Sequence, residues 1–235
     1  MKALIFAAGL GTRLKPITDT MPKALVPVDG KPMLQGVIEK LKAYGYGHIV
    51  INVHHFADQI RDFVSANGSF GIDIAFSDET DLLRETGGGI RHAAPLLEGS
   101  EPFLVHNVDI ISDLDLGWFR EQHRPGDLAT ILVSRRTTSR YFLFDGESRL
   151  VGWTNVDTGQ VRSPYSAIDP DECTPLAFAG IHMISPEILP LMAEWPEKFS
   201  IVDFYLAHCQ SRTIRAAVPE ALSIRDLGKI SDFRL

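Results

Sequence analysis

The chain has 235 residues, of which 45% are hydrophobic and 23% are charged, a composition typical of a globular protein. Its formal net charge of −7 argues against general binding to nucleic acids or anionic membranes, because such binding depends on a surplus of basic residues. Two cysteines are too few for a disulfide framework, and no segment approaches the roughly 20 apolar residues of a membrane span. We therefore expect a cytoplasmic protein that binds neither nucleic acid nor membrane.

The charge is distributed unevenly along the chain. Residues 1–31 contain five basic and two acidic side chains, although the whole chain is acidic. A small basic pocket for phosphate groups explains this inversion better than a nucleic-acid surface does. The basic residues are Lys2, Arg13, Lys15, Lys23 and Lys31, and the acidic ones are Asp19 and Asp29.

Apolar runs and helical stripes alternate through the first half of the chain. This alternation predicts an α/β fold with a mostly parallel, Rossmann-like sheet flanked by helices. After Arg135 the predicted strands are separated by turns, which indicates a smaller mixed or antiparallel β extension. In chain order we predict a strand at 2–7, a helix from Pro32, a strand at 49–53, a helix striped by Phe56, Ile60, Phe63 and Val64, a strand at 72–76, a helix at 86–97, and strands at 103–105, 128–133, 141–144, 150–153 and 176–184. We expect one domain over 1–235, with a core at 1–135 and an extension at 136–235.

A glycine loop after the first predicted strand is the strongest signal in the sequence. Gly9 and Gly11 lack side chains, so backbone N–H groups can approach phosphate oxygens closely. Arg13 adds a planar, permanent charge, and Lys23, which follows Pro22, adds a compact one. We assign nucleotide binding to Ala8, Gly9, Gly11, Thr12, Arg13 and Lys23.

Other interpretations of this loop are weaker. Two glycines can make a simple tight turn. A dinucleotide site would have a third glycine where Leu14 stands and an acidic residue after the second strand, where His54 and His55 stand. The Gly-Lys-Ser/Thr of a Walker A loop is absent. A dinucleotide-dependent oxidoreductase is therefore an outside alternative.

The pattern Gly9-x-Gly11-Thr12-Arg13 with Pro16, followed by Pro22-Lys23 and Val26-Pro27-Val28, resembles the signature of sugar-1-phosphate nucleotidyltransferases. The resemblance implies an enzyme that uses Mg²⁺ to join a nucleoside triphosphate to a sugar 1-phosphate and release pyrophosphate. It implies that Arg13 and Lys23 hold the triphosphate. It further implies that 1–135 binds the nucleotide and that 136–235 covers the acceptor.

Three consecutive glycines open the predicted helix at 86–97, in the segment Glu85-Thr86-Gly87-Gly88-Gly89-Ile90. Glycine costs about 1 kcal/mol in a helix interior, so we expect this run to leave bare backbone for a flat base, with a flexible loop as the alternative. The segment is most similar to N-acetylmuramate 1-phosphate uridylyltransferases. That similarity implies uracil and assigns Glu85 and Gly88 to nucleotide binding. A guanylyl- or cytidylyltransferase, or a non-catalytic nucleotide-binding relative, stays open.

Asp109 follows the strand at 103–105, and carboxylates at the ends of parallel strands lie where ligands bind. With phosphate oxygens and water, its carboxylate suits Mg²⁺. The resemblance implies a second metal ligand at Asp226, although an ordinary surface position is the alternative. Three residues depart from the family pattern: Val108, which is bulkier than usual, and Arg225 and Lys229, whose charges could oppose a metal. We assign Asp113 to a turn and Asp115 to a helix N-cap.

The acceptor side is predicted mainly from the resemblance. Ala177–Ile181 is similar to the strand that borders the sugar, so we assign Gly180 and Asn107 to sugar binding, and Asn107 also to the nucleotide. Relatives often carry a Glu-Lys-Pro acceptor lysine where this chain has Gly152–Asn155, and a glycine where it has Tyr141. The histidines lack metal-site spacing, and we expect structural or surface roles for them. The sequence does not indicate the sugar or the oligomeric state.

Overall fold

The computed structural model describes residues 1–228. Within them, strands and helices alternate up to residue 134, and strands dominate the second half. The strands are β1 (Lys2–Phe6), β2 (Pro27–Val28), β3 (Lys31–Pro32), β4 (His48–Val53), β5 (Asp73–Asp78), β6 (Phe103–Asn107), β7 (Ile110–Ser112), β8 (Asp127–Ser134), β9 (Arg140–Phe144), β10 (Leu150–Asn155), β11 (Gln160–Arg162), β12 (Thr174–Ile184), β13 (Thr213–Ala217) and β14 (Ile224–Asp226). The helices are α1 (Met33–Ala43), α2 (Ala57–Ala66), α3 (Glu85–Leu97), α4 (Leu116–Glu121), α5 (Ile188–Met192) and α6 (Ile201–His208).

Ten strands form one sheet in the order β11-β10-β9-β12-β6-β1-β4-β5, and β8 joins it by pairing with β12 and β13. β1, β4, β5 and β6 are mutually parallel, whereas β12 runs antiparallel to its neighbours. The predicted fold class, a largely parallel sheet flanked by helices with antiparallel additions, is confirmed.

Two hydrophobic clusters cover the two faces of this sheet. On one face, α1, α2 and α4 bury apolar side chains such as Leu34, Ile60 and Phe119. On the other, α3, α5 and α6 bury Ile90, Ile188 and Phe204. The helices pack because each has an apolar stripe, as the sequence predicted for α1 and α2. No helix among residues 1–228 is long and apolar enough to cross a membrane.

The predicted strands and the helix at 86–97 are present, with ends that differ by at most two residues. The position of β12 is the main difference. The prediction grouped β8 with the parallel core and β12 with the extension, but β12 lies between β6 and β8. Its 11 residues are long enough to pair with β9 near one end and β6 near the other, across a register shift between Phe178 and His182. The division at residue 135 remains a prediction.

Candidate active site

A cavity of about 280 Å³ lies at the carboxyl ends of the parallel strands β1, β4, β5 and β6. This edge is where ligands bind in open α/β sheets. The cavity brings together six of the predicted site residues: Ala8, Gly9, Lys23, Glu85, Asn107 and Asp109. Its other lining residues are Phe6, Ala7, Asn52, Glu79, Leu83, Thr86 and Val108.

Lys23 and Asp109 meet in the wall of this cavity, where the Nζ of Lys23 donates to the Oδ2 of Asp109. Pro22 has extended dihedral angles and precedes a single 3₁₀ turn, Lys23–Leu25, which directs the lysine inward. Asp109 lies two residues after Asn107, the last residue of β6, and so at the predicted carboxyl end of this strand. Both side chains are mostly buried, at 10% and 20% exposure, so the pair is shielded from screening by solvent.

A buried polar network that the sequence reasoning missed holds the glycine loop. Asn52 on β4 accepts hydrogen bonds at its Oδ1 from the backbone N–H groups of Ala7 and Ala8, at 2.6 and 3.1 Å. Its Nδ2 donates to Glu79 Oε1 at 2.8 Å, and Glu79 Oε2 accepts from the Arg84 N–H at 3.1 Å. Asn52 and Glu79 are only 3% and 1% exposed. The one sequence signal was a lone polar residue in the apolar run Ile49–Val53.

The rest of the glycine loop forms a tight turn at the rim. Gly11 has φ 64°, and a Cβ there would lie 2.8 Å from Thr18 Cγ2, so only glycine fits without strain. Thr12 and Arg13 are exposed and do not line the cavity. The Arg13 guanidinium instead lies against Gly228, where a Cβ would come within 2.9 Å of its Nη2. The role of Arg13 therefore stays a prediction.

The glycines of α3 serve packing. A Cβ on Gly88 would lie 2.2 Å from the Glu197 carbonyl oxygen, and one on Gly87 would lie 2.3 Å from the Phe199 ring. The N–H groups of both glycines donate to the Phe199 carbonyl, at 2.9 and 3.1 Å. The 197–199 segment therefore covers the Gly88 backbone on this side, and the assignment of Gly88 to nucleotide binding stays a prediction. Glu85 and Thr86, just before the glycines, face the cavity.

Asp226 lies beside Asp109, as the resemblance implied. β14 pairs with β7 so that Asp226 is opposite Ile110, and the Leu227 N–H donates to the Asp109 carbonyl at 2.9 Å. Arg225 contacts Asp29 on the other side of β14, with its Nη1 2.7 Å from Oδ2. Its charge is therefore already paired with a carboxylate. Lys229 lies outside the described residues.

These contacts bear on whether the site suits Mg²⁺. Asp109 and Asp226 offer two carboxylates on adjoining segments, and residues 1–228 contain no cluster of three or more acidic, histidine or cysteine ligands. Mg²⁺ in phosphate-transfer sites is held by one or two carboxylates and completes its shell with water and substrate phosphates. The donor set therefore fits Mg²⁺ better than a metal that needs a full set of protein ligands.

Asn107 and Gly180 contact each other at the acceptor side. Gly180 has φ 73° at the register shift of β12, and a Cβ there would lie 2.8 Å from Asn107 Nδ2. The missing side chain makes room for Asn107, which lines the cavity. Val108 is 5% exposed and packs into the core, so its bulk is accommodated.

The remaining polar predictions fall into structural positions. Asp115 caps α4 by accepting from the N–H groups of Gly117 and Trp118, as predicted. Asp113 accepts from the Ser223 N–H at 2.8 Å. His106 is buried behind the cavity with its Nδ1 2.8 Å from the Asn107 carbonyl oxygen, and burial lowers its pKa to about 4.

The chain is similar to known nucleotidyltransferases in sequence and structure. A sequence model described as nucleotidyl transferase matches residues 2–167. The N-acetylmuramate alpha-1-phosphate uridylyltransferase of Caulobacter vibrioides is 32% identical over 227 residues, which cover 94% of this chain and 89% of that protein. The protein of the same name from Neisseria meningitidis is 46% identical over 115 residues, 49% of each chain.

A solved structure shares the fold of this chain. Yersinia pseudotuberculosis HddC, crystallised in complex with GMP-PN, superposes with a TM-score of 0.76 and 25% identity. The match covers 98% of this chain and 95% of that one. These findings confirm the resemblance drawn from the glycine loop. The chain belongs to the nucleotidyl transferase family and is an enzyme of the sugar-1-phosphate nucleotidyltransferase type.

Proposed function

We propose that this enzyme transfers a uridylyl group from UTP to a sugar 1-phosphate, with Mg²⁺, and releases pyrophosphate. The observation that carries the proposal is the pairing of Lys23 with Asp109 in a cavity beside the glycine loop. The names of the Caulobacter and Neisseria relatives support UTP as the nucleotide and make N-acetylmuramate 1-phosphate the first acceptor to test.

The glycine loop would bind the triphosphate. Asn52 already accepts from the N–H groups of Ala7 and Ala8, so we assign phosphate binding to the following amides, at 9–12. Asn52 and Glu79 would keep the start of this loop in place before the nucleotide arrives. A site organised in advance costs little reorganisation when charge develops in the transition state.

Lys23 would change partner during the reaction. In the absence of ligand its ammonium contacts Asp109, and in the complex we expect it to contact the phosphate at which charge develops. Asp109 and Asp226 would hold Mg²⁺, which supplies positive charge that offsets repulsion between the two substrates. Arg13, at the rim, would contact the leaving pyrophosphate.

The chemistry needs no general base from the protein. An oxygen of the acceptor phosphate is already ionised and forms the new bond to the α-phosphorus of the nucleotide. The bond from that phosphorus to the bridging oxygen breaks, and its electron pair leaves with pyrophosphate. Positioning and neutralisation of charge therefore account for the rate.

A guanylyltransferase is the second candidate, because the HddC structure contains GMP-PN. A non-catalytic relative is less favoured. Neither of the two residues that suggested it disturbs the site, because Val108 is buried in the core and Arg225 contacts Asp29.

The test is pyrophosphate release with Mg²⁺ from UTP, CTP, GTP, ATP and dTTP, each combined with a panel of sugar 1-phosphates. We expect release with UTP to exceed release with GTP at least tenfold for the best acceptor, and N-acetylmuramate 1-phosphate to be that acceptor. A preference for GTP would replace the uridylyl assignment with the guanylyl one. No release from any pair, by folded protein that binds nucleotide, would overturn the catalytic proposal.

A further inference from the structure

Arg136 lies in the loop between β8 and β9, and its guanidinium bridges two parts of the acceptor side. Its Nη2 donates to the Phe178 carbonyl at 3.2 Å and lies 4.0 Å from Asp226 Oδ2. The side chain is 39% exposed, so part of the guanidinium hydrogen bonds to the protein and the rest is accessible to solvent. Neither its sequence position nor a family motif marked it as a site residue.

Both anchors of Arg136 lie next to residues of the active site. Phe178 is two residues before Gly180, which packs directly on Asn107 in the cavity wall. Asp226 is opposite Ile110, one residue after Asp109. Arg136 therefore lies on the side of the site formed by β12 and β14, whereas Lys23 contacts Asp109 from the turn that follows Pro22.

Arg136 has fewer polar contacts than several other arginines of the second half. Its guanidinium has five N–H donors, and within residues 1–228 the Phe178 carbonyl is its one hydrogen-bond acceptor. Three other arginines of this half already pair with carboxylates at 2.5 to 2.9 Å. Those pairs are Arg149–Asp145, Arg162–Asp203 and Arg215–Asp127.

Binding of the acceptor phosphate requires positive charge on the side of the site where Arg136 lies. The acceptor phosphate is doubly charged, and it must approach a triphosphate next to two aspartates. A guanidinium binds phosphate through paired N–H groups and keeps its charge at any physiological pH.

We propose that Arg136 binds the phosphate group of the sugar 1-phosphate acceptor, an inference that rests on the proposed function. The Phe178 carbonyl fixes one edge of the guanidinium, and the other edge faces the acceptor phosphate. Its contact with Asp226 holds that carboxylate near the reacting centre until the substrates bind.

The test measures initial rates with both substrates varied, for the wild-type enzyme, Arg136→Ala, Arg136→Lys and the control Arg135→Ala, the exposed neighbour. A charge-assisted phosphate contact is worth about 10- to 100-fold, so Arg136→Ala should raise the KM for the sugar 1-phosphate by that factor. The KM for the nucleotide and the Tm should hardly change. Arg136→Lys should recover part of the loss, and Arg135→Ala should behave as wild type.

Calorimetric titration of N-acetylmuramate 1-phosphate into protein loaded with a non-hydrolysable UTP analogue tests the proposal without turnover. Arg136→Ala should weaken this binding 10- to 100-fold. Unchanged acceptor affinity, or nucleotide and acceptor constants that rise together with a lower Tm, would overturn the proposal in favour of a structural contact with Asp226. Absence of activity in the wild type would instead count against the proposed function, and the titration would still decide the role of Arg136.

Discussion

The nucleotide side and the acceptor side of the site position their polar groups differently. On the nucleotide side, Asn52 and Glu79 are almost fully buried and hydrogen bond to the backbone of the glycine loop and to each other. On the acceptor side, Arg136 and Asp226 are about 40 to 50% exposed and lie at the limit of ion-pair distance. Polar groups on the first side are paired within the protein, whereas those on the second side are accessible to solvent.

This difference predicts which substitutions alter folding and which alter only binding. A buried, satisfied network is costly to alter because removing one member leaves others unpaired in a region of low dielectric. Exposed charges can be exchanged with little effect on folding. We therefore expect changes on the nucleotide side to alter stability and nucleotide binding together, and a change of Arg136 on the acceptor side to alter acceptor binding alone.

The largest effect is expected from Asp109→Asn, at the point where the two sides meet. Loss of one preorganised electrostatic contact typically lowers the rate about 10²- to 10³-fold, and Asp109 also pairs with Lys23. We expect kcat to fall at least that far while the circular dichroism spectrum is unchanged. The matched control is Asp62→Asn, an exposed position on α2. Turnover near that of wild type would refute the role of Asp109.

Asn52→Ala tests the buried side of the comparison. It removes the acceptor of two backbone N–H groups and a donor to Glu79, and each buried group left unpaired costs about 1–3 kcal/mol. Because three groups lose their partner, denaturant unfolding should show a loss at or above the upper end of this range, and the KM for the nucleotide should rise. Asn67→Ala, at an exposed position, is the control. If Arg136→Ala destabilised the protein as much as Asn52→Ala, the distinction between the two sides would fail.

Two glycine substitutions separate packing from binding on the nucleotide side. Gly88→Ala places a Cβ 2.2 Å from the Glu197 carbonyl oxygen, and overpacking of this kind costs about 1–3 kcal/mol, more than the roughly 1 kcal/mol that alanine gains in a helix. Gly9→Ala meets no atom within 4 Å but lines the cavity. Unfolding and nucleotide titrations should show Gly88→Ala less stable, and Gly9→Ala as stable as wild type but weaker in binding. The reverse pattern would contradict the packing role of Gly88.

The smallest effect on activity is expected at His182 on β12, whose substitution should alter acid stability. Burial lowers the pKa of this histidine to about 3, and its Nδ1 lies 2.6 Å from the Tyr205 hydroxyl. The folded state therefore stays neutral where the unfolded state binds a proton, so the stabilisation present above about pH 6.5 is lost as the pH falls toward 3. We expect His182→Gln to remove about 2 kcal/mol of the difference in unfolding free energy between pH 7 and pH 5. An unchanged pH dependence would show that other groups cause it.

Local signals in the sequence were enough to predict half of the site. The glycine loop, Lys23 and Asp109 could be predicted because strand ends, glycines and charges are readable over short stretches, and the structure brings Lys23 and Asp109 together. The alternation of strands and helices predicted the parallel core for the same reason.

The rest depends on contacts between distant residues. Asn52 bonds to a loop more than 40 residues away, and a single polar residue in a strand does not reveal its partner. The glycines of α3 suggested a ligand, but their neighbour is a segment over 100 residues later, which no local pattern could indicate. β12 pairs with β6, and its Phe178 carbonyl accepts from Arg136. This pairing joins strands that are far apart in the sequence, so local patterns could not predict it.

The most direct test of the account is calorimetric titration of UTP and GTP with Mg²⁺ into the wild-type protein without acceptor. Because the nucleotide side is ordered in advance, we predict that UTP binds alone and more tightly than GTP. We also predict that sugar 1-phosphate alone binds at least tenfold more weakly than it does after a non-hydrolysable UTP analogue. A nucleotide that binds only in the presence of acceptor, or UTP and GTP binding equally, would contradict the account.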